Sequence, residues 1–193
     1  MSAKLAATPA PNADGTAAPI NQLAKMPYYV SPYFTNVVRI NLNSLWTTGW
    51  VDLDQEPIVL SVPDTRGRYY VFSMMNMWTD VFGSVGKRTT GTGPGAFLIV
   101  GPNWQGSPPP DIKQTFRLST RYAWLLGQTQ ANGPTDFAAV NAIHAGYKLT
   151  PLSAWGKPYT PPTNVPIDPK VKLTPSPPLQ VAAMDVGSAD ARA

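Results

Sequence analysis

The residues best suited to chemistry crowd a short stretch: Asn76, Trp78, Asp80, Lys87, Arg88, Thr89 and Thr90. An aspartate, an amide, a basic pair and an aromatic ring leaving one strand end can line a cleft for an anionic or polyol ligand. Asn76, Trp78, Lys87 and Thr89 are the candidate ligand-binding residues. Asp80 and Arg88, with Tyr70 or Tyr69 on the preceding segment, are the candidate catalytic groups of a hydrolase or lyase. The plainer alternative is an Asp80–Arg88 ion pair that pins a long polar, glycine-rich loop. Among the tryptophans, Trp104 in the turn GPNWQG is the best exposed stacking candidate for a sugar, whereas Trp50 and Trp124 fall inside strands and read as core.

Other motifs fail on their own terms. The run GSVGKR, Gly83 to Arg88, would need a glycine where Val81 stands and a hydroxyl residue where Arg88 stands to be a phosphate loop. It reads as a loop leaving a strand. The run GTGPGA, Gly91 to Ala96, fits a dinucleotide fingerprint in spacing, but the strand-like AFLIV follows it instead of a helix, so it reads as a hairpin or crossover loop. There is no Gly-x-Ser-x-Gly elbow. The one histidine, His144, falls on the apolar arc of a helix and reads as a packed, hydrogen-bonded residue. Asp52, Asp54 and Glu56 alternate, which on a continuing strand suits an oxygen-liganded cation. Pro57 breaks that strand, so solvated acids at a strand end are the simpler reading. With no cysteine and a single histidine, no thiolate or histidine metal cluster forms, and no metal or cofactor is implied.

The elements that must position these residues follow from composition and period. The chain has 193 residues, of which 13% are charged, about half the usual share, and it holds 15 glycines and 22 prolines. Short segments rich in Val, Ile, Tyr, Phe and Trp alternate with Gly, Pro and Asp, giving strands at 45–53, 57–63, 68–75, 96–100, 114–118 and 121–128. The turn PDTRGR between the second and third of these predicts an antiparallel hairpin. One helix runs over 135–147, capped by Thr135, with Phe137, Val140, Ile143 and Tyr147 at helical spacing and an end near Gly146. Residues 1–20 read as a disordered or linker segment, 21–157 as the folded module and 158–193 as an extended proline-rich tail. The fold class is all-β: a β-sandwich with one packed helix, a barrel being the alternative. The net charge of +4 comes from scattered basic residues, densest at Arg66/Arg68 and Lys87/Arg88, which argues against nucleic acid as a partner. No apolar run is long enough for a membrane span. The N-terminal residues lack the apolar stretch of a signal peptide, and the absence of cysteine leaves the compartment open, periplasmic or secreted included.

Several long blocks resemble the N-terminal module of the domain of unknown function 1254 family: DLDQEPIVLSVPDTRGRYYVFSMMNMWTDVFGSVGKRTTGTGPGAFLIVGPNWQG, then WLLGQTQANGPTDFAAV, then LTPLSAWGK. The similarity runs from about Asn21 to about Asp185. It implies an immunoglobulin-like sandwich, usually followed by a jelly-roll domain catalogued as domain of unknown function 1214, and carries no assigned activity. Where the family reads Pro-Asn-x-Asp-Thr-Leu-Tyr, this chain has Ile40, Asn41, Leu42, Asn43, Ser44, Leu45 and Trp46, so the acidic group at position 43 is an amide here. The chain lacks the family's usual upstream helical stretch and its second domain, which suggests a split or truncated member. The resemblance therefore implies a binding or structural module that forms a homo-oligomer or joins a jelly-roll partner chain. Trp155, with Trp46 second, is the candidate anchor for that partner.

Overall fold

The computed structural model describes residues 10–31 and 41–165. Two sheets face each other. Sheet A holds β1 (Ala24–Lys25), β2 (Ser44–Asp52), β8 (Tyr122–Gln130), β4 (Tyr70–Met75) and β5 (Val81–Gly86), in that spatial order. Sheet B holds β7 (Gln114–Arg117), β6 (Gly95–Val100), β3 (Ile58–Val62) and β9 (Lys148–Pro151). Every pairing is antiparallel except β6 with β7. A parallel neighbour needs a long connection, which the segment from Gly101 to Lys113 supplies.

The period-2 patterning carries through. Along β8, Ala123, Leu125, Gly127 and Thr129 are buried while Tyr122, Trp124, Leu126 and Gln128 are half-exposed on the other face. Along β4, Tyr70, Phe72 and Met74 point inward. They meet Ile58, Leu60, Phe97 and Ile99 of sheet B in one core that also takes in Val51, Val85 and Leu149. Among the described residues the fold is thus an all-β sandwich with a single packed α-helix, α1 (Phe137–Gly146). Val140 of that helix packs on Leu45 and Ala131, and the ring of Phe137 meets Tyr29 edge-on at 4.8 Å.

Several local expectations are corrected. The strands at 57–63 and 68–75 form no hairpin: β3 lies between β6 and β9 in sheet B, and β4 between β5 and β8 in sheet A. Both edges of each strand are already taken. The turn between them is instead an arch from one sheet to the other, pinned by the Thr65 N–H on the Thr92 carbonyl, with Arg66 and Gly67 both left-handed (φ 53° and 78°). The stretch from Val81 to Gly86 is an edge strand, not a loop. Its glycines answer to close packing: a Cβ at Gly83 would meet the Phe116 ring at 2.5 Å, and one at Gly86 the Tyr70 carbonyl oxygen at 2.5 Å. Thr135 does not cap the helix. It sits in a 3-10 turn, Pro134–Asp136, and no side chain caps α1.

The ends of the described chain lie against sheet A. Residues 10–20, read as linker, turn so that Gly15 abuts the backbone of Lys25 and Met26, and Ala18 is buried. Gln22 donates to the carbonyl of Pro162 at 2.8 Å, which brings the start of the proline-rich segment beside β1. Residues 1–9 of the first segment, Ile40 of the altered motif and 166–193 of the tail lie outside the described residues.

Candidate functional site

The residues singled out in sequence fall at two ends of β5. At one end, the β4–β5 connection is organised by Asn76, which is buried. Its Oδ1 accepts from the N–H groups of Trp78 (2.9 Å) and Asp80 (3.0 Å), and its Nδ2 donates to Asp80 Oδ2 (3.1 Å) and Ser119 Oγ (3.3 Å). This tight loop pushes Trp78 outward to 75% exposure, with Met77 at 43% and Val81 at 60%. Asp80 and Arg88 do not form an ion pair, because the six residues of β5 separate them. At ~3.3 Å per residue that is on the order of 20 Å. The acid and the base are thus not brought into one site.

At the other end the structure gathers what the sequence keeps apart. Lys87 Nζ donates to the Gly67 carbonyl at 2.8 Å, joining the Lys87/Arg88 pair to the Arg66/Arg68 turn. Arg88 lies over the Tyr69 ring, 5.4 Å from its centroid. Thr89 and Thr90 close the turn by bonding to the Gly86 carbonyl. Tyr70 faces the core, where burial pushes its hydroxyl pKa up. Arg68 forks onto Asp136 at 2.6 and 2.8 Å and also donates to the Gln130 carbonyl. The Arg68 hydrogen bonds, helped by the Asn132 N–H, hold the Asp136 carboxyl below its usual range. Between this turn and α1 lies a groove of about 790 Å³, lined by Arg66, Arg68, Gln130, Asn132, Ala139 and Ile143 among others. The Arg66 guanidinium has no hydrogen bond or ion pair among the described residues. Sequence spacing could not show this convergence, which depends on the arch between β3 and β4.

The two outer faces of the sandwich differ. That of sheet B is roofed by the chain's own loops, with Trp104, Ile112, Leu152 and Trp155 packed over Val59, Ala96, Leu98 and Val100. Trp104 is therefore half-buried roof, its ring against Gly106, and Trp155 is fixed by donating to both oxygens of Asp111 (3.1 and 3.0 Å). Trp46 is buried at 8% exposure. Sheet A differs along one row, whose side chains are half-buried or exposed among the described residues. Trp50 on β2, Trp124 on β8, Met75 on β4 and Val81 on β5 stand opposite one another in register on the outer face. Trp50 and Trp124 are thus not core. Their rings stack 5.6 Å apart and 5° from parallel, with Trp124 Nε1 on Thr48 Oγ1 at 2.7 Å. Trp78 stands exposed on the loop that joins Met75 to Val81.

The remaining candidates are structural in their contacts. Arg121 forks onto Asp52 at 2.7 and 2.6 Å and reaches Asp54 at 3.4 Å, while Glu56 accepts from the Ser153 N–H and hydroxyl. The three carboxylates therefore do not converge. His144 is packed as expected, 2% exposed and 5.5 Å from the Tyr147 ring, but its ring nitrogens make no hydrogen bond among the described residues. Burial, with a smaller effect from Lys25, lowers its pKa to about 4. Lys25 Nζ donates to the Tyr147 carbonyl, and burial, then Lys148, lowers its pKa to about 8. At the altered motif, Asn41 bonds Gln128 and the Asn43 carbonyl accepts from the Ala131 N–H, so this segment guides the chain into β2.

A family model described as "Protein of unknown function (DUF1254)" matches residues 20–151. No curated protein matches the chain. Among solved structures, the chain is similar to the VPA0106 protein from Vibrio parahaemolyticus, with 27% identity and a TM-score of 0.60 over 79% of this chain and 36% of that one. It also matches an uncharacterised protein from Burkholderia cenocepacia at 15% identity and a TM-score of 0.42, covering 62% of this chain and 36% of that one. The chain thus spans little more than a third of the length of either structure. No helix among the described residues is long and apolar enough to cross a membrane.

Proposed function

The chain belongs to the DUF1254 family, and on that premise we propose that it is a binding module whose sandwich, residues 21–157, docks through the outer face of sheet A onto a jelly-roll domain. That domain is of the kind catalogued as domain of unknown function 1214, carried on a separate chain or on the same one. The observation behind this reading is the contrast between the two outer faces. Sheet B is covered by Trp104, Ile112, Leu152 and Trp155, whereas Trp50, Trp124, Met75 and Val81 make an apolar row, with Trp78 exposed on the loop between the last two. Large aromatic side chains grouped on a flat surface are the usual anchors of an interface. The row crosses three strand spacings, ~14 Å. The greater length of the similar Vibrio parahaemolyticus protein leaves room for such a second domain. An immunoglobulin-like lineage for the sandwich fits the same reading.

Co-expression tests this. The tagged chain is expressed with the jelly-roll domain of a two-domain relative, and the pair is expected to co-elute on size exclusion. Trp78→Ser with Val81→Lys should release the partner without lowering the melting temperature, since both side chains are exposed. Retention of the partner by that variant would refute the reading.

A further inference from the structure

The groove between the Asp64–Arg68 arch and α1 has no part in the docking face, and its chemistry is different. We infer that it is a binding site for a small amphipathic anion, a single carboxylate head on an apolar body a few carbons long. Its volume, about 790 Å³, lies within the range of small-molecule sites. One wall carries Arg66 and Arg68, with the amides of Gln130 and Asn132, and the floor is the outward face of α1 at Ala139, Ala142 and Ile143.

The charge balance of the wall sets the ligand's sign. Arg66 and Arg68 line the groove, and Lys87 and Arg88 stand behind them, because Lys87 bonds the Gly67 carbonyl and Arg88 rests on Tyr69. Of the nearby acids, Asp136 is taken up by Arg68, and Asp64, which also lines the groove, accepts the Arg66 backbone N–H at 2.7 Å and keeps its charge. The four cations against these two carboxylates leave the two loops net positive, and the cation without an ion-pair partner among the described residues, Arg66, lines the groove. Holding like charges together costs free energy that a bound anion offsets. Arg66 also stands at φ 53°, a backbone conformation in which a long side chain is strained and which Gly or Asn adopts with ease. Such strain tends to sit at sites where a side chain has to be aimed.

The floor sets the rest of the ligand. It has no aromatic ring to stack a base, and only one guanidinium is free to fork onto a head group. One carboxylate with an aliphatic body matches both features.

The experiment is calorimetric titration of the whole chain with hexanoate, with 1-hexanol as the uncharged control. Hexanoate is expected to saturate and hexanol to give no saturable heat. Arg66→Asn removes the charge and suits the left-handed backbone, so it should fold as wild type and bind hexanoate about tenfold more weakly. Ala142→Trp fills the groove from an exposed helix position and should abolish binding with every charge intact. Absence of saturation with wild type, equal affinity for hexanol, or undiminished binding by either variant would overturn the proposal. None of these changes touches the sheet A row, so this site and the docking face can fail separately.

Discussion

At the scale of single residues, buried polar groups decide the local structure. Asn76 satisfies two backbone N–H groups and the Asp80 and Ser119 side chains. Removing it strands those donors in a partly dry loop, so Asn76→Ala should cost about 2 kcal/mol. Asp80→Ala loses one exposed acceptor and should cost less than half of that. Urea denaturation of the two variants tests the order; equal losses would show that Asn76 does not organise the loop. His144 gives a pH dependence. Its folded pKa, about 4, lies below the ordinary value of 6.5 because burial disfavours the charged ring, with Lys25 adding repulsion. As pH falls below 6.5 the unfolded chain takes up a proton that the folded chain refuses until near pH 4. Stability should therefore drop by roughly 3 kcal/mol across that window and level off below it. Asp136, held below its usual range by Arg68, adds its loss only at lower pH. In His144→Leu the slope between pH 6.5 and 4 should vanish, and its persistence would assign the loss to other groups.

At the scale of elements, the sequence announced the strands it could pattern. Alternation along β8 and β4 was legible because one face of each is core, and the helix was legible from Phe137, Val140 and Ile143. Pairing was not, because the arch at Asp64–Arg68 has the composition of a hairpin turn and differs only in what it is tied to. β5 was hidden for another reason: Gly83 and Gly86 lower strand propensity and are there to admit Phe116 and the Tyr70 carbonyl. The basic groove was illegible for the same cause, since Arg66/Arg68 and Lys87/Arg88 meet only once the arch is known. Gly127 in β8 follows the same close-packing logic. A Cβ there would meet the Phe72 ring at 2.6 Å. Gly127→Ala should destabilise by about 1–3 kcal/mol through overpacking, and Phe72→Leu in the same chain should recover part of that loss. A double-mutant cycle with purely additive costs would contradict the contact.

At the scale of the whole molecule, the two sheets bury one face each in a common core and differ in their second faces. Sheet B uses its own loops as cover, so Trp155, expected to anchor a partner, and Trp104, expected to be exposed for a sugar, are already in use. Sheet A presents the Trp50–Trp124–Met75–Val81 row. That one row across four strands makes on the order of 100 Å² of face, well under the ~800 Å² per partner of a stable complex. An isolated chain should therefore self-associate weakly, as a concentration-dependent monomer–dimer mixture, and bind a hydrophobic dye when dilute. Charge placed on the row opposes both effects, because burying an unpaired lysine costs more than the apolar contact returns. Light scattering over a range of protein concentrations, with Met75→Lys beside wild type, reads this directly. Met75 is half-buried on the outer face, so its variant also needs a melting curve to show that it folds. The expected result is a mass that rises with concentration for wild type and stays monomeric for the folded variant. A constant monomer mass for wild type, with no dye binding, would mean that the row is covered within the chain itself and is not a docking face.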